Sequence, residues 1–387
     1  MRGKRDVNVR VHGRSRHYRT VSFSSLTNEV VLIEQRKLPH TFELTRTKNF
    51  KQTARAITNM TVRGAGAIGA TAAYGLAQGA RAYNNKTGKT EAAFARHLQR
   101  VYETLAAARP TAVDLVNALN QVRAAMAAGK TIAQQQRLAL KAAKKFADDD
   151  VAHCEAIGKH GAKLIKNGTR VLTHCNAGWL AFVDIGSATA PMYAAQAQGK
   201  KFHVYCDETR PRSQGAALTA WELAQQGVSH EVIADNAAGH LMQRGEIDLV
   251  ITGSDRTLGR TGEVANKIGT YTKAVLAARH NIPFYVAIPL STLDWELRDG
   301  TQIPIEERDE DEVLTAWGTD NRGKFRQVQI ANPTSPARNP AFDVTPSELI
   351  TGIITPKGIF KPRDLWRQRM RLGGSIPSVI DLHPAVV

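Results

Sequence analysis

From residue 170 onward, short apolar runs alternate with helix-forming segments, and no other feature of the chain limits its fold so strongly. The runs are "RVLTH", "KFHVYC", "EVIAD", "DLVIT" and "PFYVAIP"; between them stand "ALTAWELAQQG", "AGHLMQRG" and "VANKIGTYTKAVLAARHN". Runs this short, alternating with helices, predict a mainly parallel, doubly wound sheet of Rossmann-like type. Such sheets take their ligands at the carboxyl ends of the strands, so polar residues that follow an apolar run carry the functional weight.

Upstream, the composition turns to alanine-rich helix formers. "GAIGATAAYGLAQGARAYNN", "TEAAFARHLQRVYETLAAARP", "AVDLVNALNQVRAAMAAGK" and "TIAQQQRLALKAAKKFADDD" each repeat small or apolar residues at three- and four-residue spacing. They predict a helical bundle, prefaced by a small sheet within residues 18–50 from "TVSFSS" and "EVVLIEQ". The acids of "ADDD" suit a helix start, so "VAHCEAIGKHGAKLIKNG" reads as a separate helix. The expected fold class is therefore α/β. Its parts are a basic N-terminal arm over 1–20, a mainly helical domain over 21–150, a Rossmann-like catalytic domain over 151–365 and a C-terminal extension over 366–387.

Length and charge narrow the function classes. A chain of 387 residues supplies core for about two domains. No stretch approaches the roughly 20 apolar residues of a membrane span, and the N-terminus lacks the apolar core of a secretory signal, so a cytoplasmic protein is expected. Cys154, Cys175 and Cys206 have no zinc-like spacing and predict free thiols without metal. The 52 Lys and Arg against 35 Asp and Glu give +17, which suits phosphorylated metabolites or nucleic acid. Arg2, Lys4, Arg5, Arg10, Arg14, Arg16 and Arg19 predict a mobile, self-repelling arm, with RNA contact as the alternative.

Three strand ends carry candidate chemistry. Cys175 in "VLTHCNAG" stands where backbone amides would lower a thiol from its usual ~8.5 and make it a proton carrier; a buried inert thiol is the plainer reading. Cys154 and Cys206 are expected to be such inert thiols. Asp255 in "VITGSDR" would present its carboxylate at the ligand edge as a general acid/base, unless it serves as a salt bridge or helix cap. In "RGAGAIG", Arg63 precedes Gly64 and Ala65, where a helix N-terminus can approach a phosphate, although the small residues equally suit helix packing. Without a strand ahead of it this run is not a dinucleotide fingerprint, and no cofactor is expected. Arg109, before Pro110, is a second phosphate candidate. In "DETRPRSQG", Asp207, Glu208 and Arg210 suggest an ion-pair and turn network, with Arg212 facing the substrate.

Taken in order, "RGAGAIG", "RPTAVDL", "THCNAG", "DETRPRSQG", "GSDR", "VANKIGTY", "IPFYVAIPLSTLD", "IPIEER" and "NPAFDVTP" resemble the 5-methylthioribose-1-phosphate isomerase family over about residues 28–362. That superfamily also holds ribose-1,5-bisphosphate isomerases and regulatory subunits of a translation initiation factor. The resemblance implies a metal-free aldose–ketose isomerase of methionine salvage, working as a homodimer on a sugar phosphate. It implies Cys175 and Asp255 as catalytic residues, with Arg63, Gly64, Ala65, Arg109, Gln214, Asn266 and Lys267 binding substrate. Unaided, Asn266 and Lys267 read as capping and solvated charge at a helix start.

Two departures bear on the 5-substituent. The family usually has proline where Gly66 stands, and Ala177 and Trp179 replace a threonine and a small residue after the cysteine, so that Trp179 would alter the pocket volume. Methylthio, hydrogen and phosphate all remain as the 5-group at this point. A non-enzymatic regulator binding protein or RNA is the alternative from another class, supported by the +17 charge.

Overall fold

The computed structural model describes residues 8–11, 13–84, 90–110 and 112–374. A hairpin of β1 (Asn8–Val11) and β2 (Arg14–His17) comes first. Residues 8–20 thereby differ from the expected mobile arm. Val9 is fully buried beside Leu180 and Leu218, the Arg10 N–H donates to Gln225 Oε1 at 2.8 Å, and His17 and Arg19 reach Asp184 and Asp148. One buried valine and these acidic partners outweigh the self-repulsion of the basic residues. Residues 1–7 lie outside the described residues.

The small sheet is antiparallel, in the order β3 (Val21–Ser24), β4 (Glu29–Ile33), β5 (Leu44–Thr47). Five helices follow: α1 (Phe50–Thr58), α2 (Ala65–Ala82), α3 (Glu91–Ala106), α4 (Val113–Met126) and α5 (Ile132–Gly161). α2 is buried without break from Gly66 to Ala80, because small residues on every side admit α4 and α5 closely. A Cβ at Gly69 would fall 3.0 Å from Phe146 Cε1 of α5 and 3.2 Å from the Asp114 carbonyl of α4, so the glycine run does serve packing.

α5 corrects the expected helix break at "ADDD". Its 30 residues run through residue 150 without interruption. Ala143, Phe146, Ala147, Asp150, Cys154, Ile157 and Gly161 continue one buried stripe, and every acid of the run finds a partner. Asp148 pairs with Arg19, Asp149 with Lys145, and Asp150 Oδ2 accepts the Val183 N–H at 2.7 Å. The helix belongs to both halves of the molecule.

The Rossmann-like half contains β6 (Arg170–Thr173), α6 (Ala190–Ala197), β7 (His203–Asp207), α7 (Ala220–Gln226), β8 (His230–Ile233), α8 (Ala237–Gln243) and β9 (Leu249–Thr252). After these come β10 (Arg256–Leu258), β11 (Val264–Lys267), α9 (Thr270–Arg279), β12 (Phe284–Ala287) and β13 (Leu293–Asp294). The chain continues through α10 (Asp311–Leu314), the hairpin β14 (Thr315–Thr319) and β15 (Phe325–Gln329), then β16 (Phe342–Thr345), β17 (Gly352–Thr355) and β18 (Gly358–Phe360). The main sheet has the order β18-β17-β12-β9-β6-β7-β8, all parallel except β18. Strand order reverses between β6 and β9, which makes their carboxyl ends the switch point.

A second sheet, β13-β10-β11-β16, stands beside that point. It corrects the reading of "VANKIGTYTK" as helix from its start: Val264–Lys267 is a strand, and α9 begins only after Gly269, whose φ is +98°. The Asp343 carboxylate, on β16, accepts from the N–H groups of Gly269 and Tyr271 and so fixes the helix start there. At the C-terminus, Leu372 is buried and Trp366 packs on Trp295, with ring centroids 6.4 Å apart. Residues 375–387 lie outside the described residues. No described helix is long and apolar enough to cross a membrane.

Candidate active site

Cys175 leaves the end of β6 with φ +62°, an uncommon backbone for a non-glycine residue. Two threonines hold it there. Its N–H donates to Thr209 Oγ1 at 2.8 Å and its carbonyl accepts from Thr219 Oγ1 at 2.6 Å. Burial pushes the thiol up; Arg63 and Lys267 pull it down, whereas Asp255 adds to the rise. The net shift is upward, opposite to the expected lowering, because loss of water outweighs two cations. The thiol accordingly keeps its proton near neutral pH.

Asp255 follows β9, the strand next to β6, and its N–H donates to the Ala265 carbonyl at 3.0 Å. It lines a small cleft together with Gly64, Ala65, Ile68, Arg109, Val113 and Phe342, among others. Gly64 must be glycine: φ is +92°, and a Cβ would fall 2.4 Å from the Ala181 Cα. It caps α2, so the helix N-terminus and its polar N–H groups open toward the cleft. Arg63 donates to Asn176 Oδ1 at 2.6 Å and to the Asn176 carbonyl at 2.9 Å, which joins the helical half to the sheet half. Asn176 is in turn held by Glu222, whose buried carboxyl also accepts from the Trp179 and Leu180 N–H groups and the Tyr193 hydroxyl. Burial pushes Glu222 up to about 7 against those hydrogen bonds.

Arg109 precedes α4 in the connecting loop rather than in the helix, 3.8 Å from Glu306. Burial lowers its guanidinium, and Asp255 and Glu306 oppose that. Lys267 is buried at the end of β11; it donates to the Ala341 carbonyl at 2.8 Å and lies 5.0 Å over the Phe342 ring. Its amine is lowered by burial, while Cys175 and Asp255 draw it up. Cys175, Asp255, Lys267, Arg63, Arg109 and Arg308 thus form one electrostatic cluster. Asn266 is on the strand with Lys267 and donates to Thr270 Oγ1, so neither residue is a helix cap. Gln214, in the connection from β7 to α7, is buried with no hydrogen-bond partner for its Oε1.

Other expectations change. Arg212 pairs with Glu312 of α10 at 2.8 Å and does not line the cleft, because that carboxylate takes its guanidinium. Asp207 pairs with His174 and Lys273, and Arg210 donates to the carbonyls of Glu312 and Val313; the segment is a turn network whose ion pairs run to Lys273 and, from Arg212, to Glu312. Trp179 is fully buried against Trp221 and Leu180, away from the cleft lining. At Gly66, a Cβ would fall 2.3 Å from Asp150 Oδ1 and 2.6 Å from Phe182 Cδ1, which accounts for the absence of proline here. Glu222 and Arg308 were not foreseen, since only tertiary packing brings them to the site. His174 and Asn176 flanked the cysteine in plain view.

Among the described residues, His174, Asp207 and Asp235 bring donor atoms of metal-ligand type within 4.8 Å of one another. These atoms are already engaged: His174 bonds the Ile268 carbonyl, Asp207 pairs with Lys273, and Asp235 accepts from the Thr209 and Arg210 N–H groups. The group is a salt-bridge network rather than an open ligand set. Nor does a strand precede "GAGAIG", as a dinucleotide fold requires.

A cleft lined by Arg109, Arg256 and Asp255 at the switch point of a doubly wound sheet, with the buried Cys175 thiol beyond the end of the neighbouring strand in the same electrostatic cluster, defines an α/β protein with a small polar site between its two halves. Residues 61–362 match the model of the Initiation factor 2 subunit family. The chain belongs to that family and, within it, to the methylthioribose-1-phosphate isomerases. It is 51% identical over 352 residues to the methylthioribose-1-phosphate isomerase of Methylorubrum extorquens, covering 89% of this chain and 93% of that one. The Rhizobium meliloti protein of the same name is 47% identical over 361 residues, 90% of this chain and 95% of its own. The crystal structure of 5-methylthioribose 1-phosphate isomerase from Pyrococcus horikoshii OT3 superposes with a TM-score of 0.80 at 42% identity, over 92% of this chain and 95% of that chain. Translation initiation factor eIF-2B subunit delta from A. fulgidus gives 0.76 at 40%, over 90% and 97%.

Proposed function

We propose that the chain is an aldose–ketose isomerase of methionine salvage that converts 5-methylthio-D-ribose 1-phosphate to the corresponding ribulose 1-phosphate. One observation carries this reading: Cys175 and Asp255 emerge from adjacent strands at the switch point, in one electrostatic cluster with Arg63, Arg109 and Lys267. The phosphate goes to the α2 N-terminus at Gly64 and Ala65, between Arg63 and Arg109. Gln214, Asn266 and Lys267 hold the sugar. Ile68, Val113, Ile303, Pro304 and Phe342 give the cleft an apolar wall, which suits a methylthio group better than a second phosphate.

The 1-phosphate locks the ring, so opening requires a proton on the ring oxygen as the C1–O4 bond breaks. A protonated Cys175 thiol supplies it, and the Asp255 carboxylate takes the proton of the C2 hydroxyl as C2 becomes a carbonyl. Hydrogen then passes from C2 to C1. A thiol that keeps its proton is a poor base, so the raised Cys175 favours direct hydride transfer over an enediol. Conversion followed by phosphorus and proton NMR in D₂O tests all of this. Product from 5-methylthioribose 1-phosphate that vanishes in Cys175→Ala supports the reading. Deuterium at C1 would replace the hydride route by proton transfer. No conversion of that sugar, its 5-deoxy analogue or ribose 1,5-bisphosphate by folded protein would refute the enzyme reading in favour of a regulator. The family supports a cytoplasmic homodimer, which light scattering checks.

A further inference from the structure

We infer that His174 is a positioning residue that sets the distance between Cys175 and Lys267 through a single bond to the Ile268 carbonyl; this rests on the isomerase reading above. His174 precedes Cys175 in the chain, and Ile268 follows Lys267. The imidazole, 1% exposed, spans from the end of β6 to the end of β11, with Nε2 at 2.8 Å from the Ile268 carbonyl oxygen. Nδ1 stands 2.8 Å from Asp207 Oδ2 at the end of β7. The Ile268 carbonyl can only accept, so this bond is made by a proton on Nε2.

The surroundings leave this ring one orientation. Asp207 Oδ2 is shared with Lys273 of α9 at 3.2 Å, which fixes the carboxylate from the far side. A Cβ on Gly269 would come within 3.0 Å of His174 Cε1 and 3.2 Å of Nε2, so the glycine backbone lies against the ring. Asp343 holds the same backbone through the Gly269 N–H at 2.7 Å, and Ile268 N–H donates to the Ala341 carbonyl at 3.0 Å. Lys267 donates to that same Ala341 carbonyl. The thiol strand and the lysine strand belong to different sheets, and the His174 side chain reaches from the end of the first to Ile268 at the end of the second. The bonds to Ala341 and Asp343 hold Ile268 and Lys267 to β16, so release of the Nε2 bond lets the β11–β16 end shift as a unit relative to the thiol, while the α2 N-terminus, where the phosphate is placed, makes no bond to His174. A displacement of about 1 Å at a reacting centre costs on the order of 10²-fold in rate.

Two substitutions separate the two nitrogens. His174→Gln keeps a donor near the Nε2 position and can reach Ile268; His174→Asn keeps one near Nδ1 and can reach only Asp207. Initial rates with 5-methylthioribose 1-phosphate are measured for both variants and the wild type, with thermal unfolding to confirm folded protein. The expected result is a kcat for His174→Gln within a few-fold of wild type, and one about 10²-fold lower for His174→Asn, with KM little changed in each. The opposite order, equal losses in both, or full activity in both would overturn the inference, since each takes the decisive role from the Ile268 bond. Wild-type protein that converts no substrate would refute the isomerase reading itself, and is recognised before any variant is compared. Should both variants fail to fold, histidine-selective ¹⁵N NMR of the wild type decides instead. An Nε2 proton on His174 that is slow to exchange supports the bridge, whereas an unprotonated Nε2 removes it.

Discussion

Asp150 offers a test of the packing that does not depend on turnover. Its carboxyl lies in the middle of α5, fully enclosed, with the Val183 N–H at 2.7 Å and Gly66 of α2 pressed against Oδ1. Burial, chiefly, pushes it from 3.8 to about 8, with Asp114 and Asp184 nearby adding to the rise. The folded state therefore binds this proton more tightly than the unfolded chain does. Stability from this group is complete below pH 4 and is lost as pH rises toward 8. A gap of about 4 pH units at ~1.4 kcal/mol each corresponds to roughly 5–6 kcal/mol over that window. Asp150→Asn has nothing to ionise, and its amide oxygen can still accept from Val183. Urea unfolding of both proteins at intervals from pH 4 to pH 8 gives two stability curves. The variant should gain on the wild type by several kcal/mol across the window, whatever the offset between them at pH 4. Parallel curves would refute the reasoning, for they would mean that Asp150 titrates alike in the folded and unfolded chains.

Other substitutions test the site and its supports. Asn176→Ala removes the Oδ1 acceptor that Arg63 uses at 2.6 Å and should raise KM about 10-fold or more while kcat falls less, as steady-state kinetics will show. Gly64→Ala meets both a φ of +92° and an Ala181 Cα at 2.4 Å, so calorimetry should record a loss of more than about 3 kcal/mol. Val9→Asp places a charge in the cluster around Leu180 and should detach the N-terminal hairpin, read as protease cleavage within residues 8–19 that the wild type resists.

Sequence and structure agree best where local pattern and tertiary need coincide. The apolar runs at 170–174, 201–206, 248–252 and 283–289 all became central strands, because a parallel sheet covered on both faces asks only for short apolar stretches. Cys175 and Asp255 were legible as strand-end residues for the same reason. Val264–Lys267 was not legible: it is a strand only because β10 and β16 flank it, and its four residues carry no alternation. The break expected at "ADDD" failed because Asp150 satisfies a backbone donor 33 residues away. The protonation of Cys175 was misjudged because burial, which no local motif reports, exceeds the pull of Arg63 and Lys267. Glu222 stands 46 residues beyond the asparagine it supports, a separation that only the folded chain closes.

The uninterrupted course of α5 has a mechanical consequence. A rod of about 45 Å runs from the helical bundle to the foot of the sheet, and Arg63 ties the two halves together again at the cleft. With one rigid strut behind the cleft and one clasp in front, the molecule has no hinge near residue 150 about which its halves could swing. The chain should therefore unfold as one cooperative unit rather than as two.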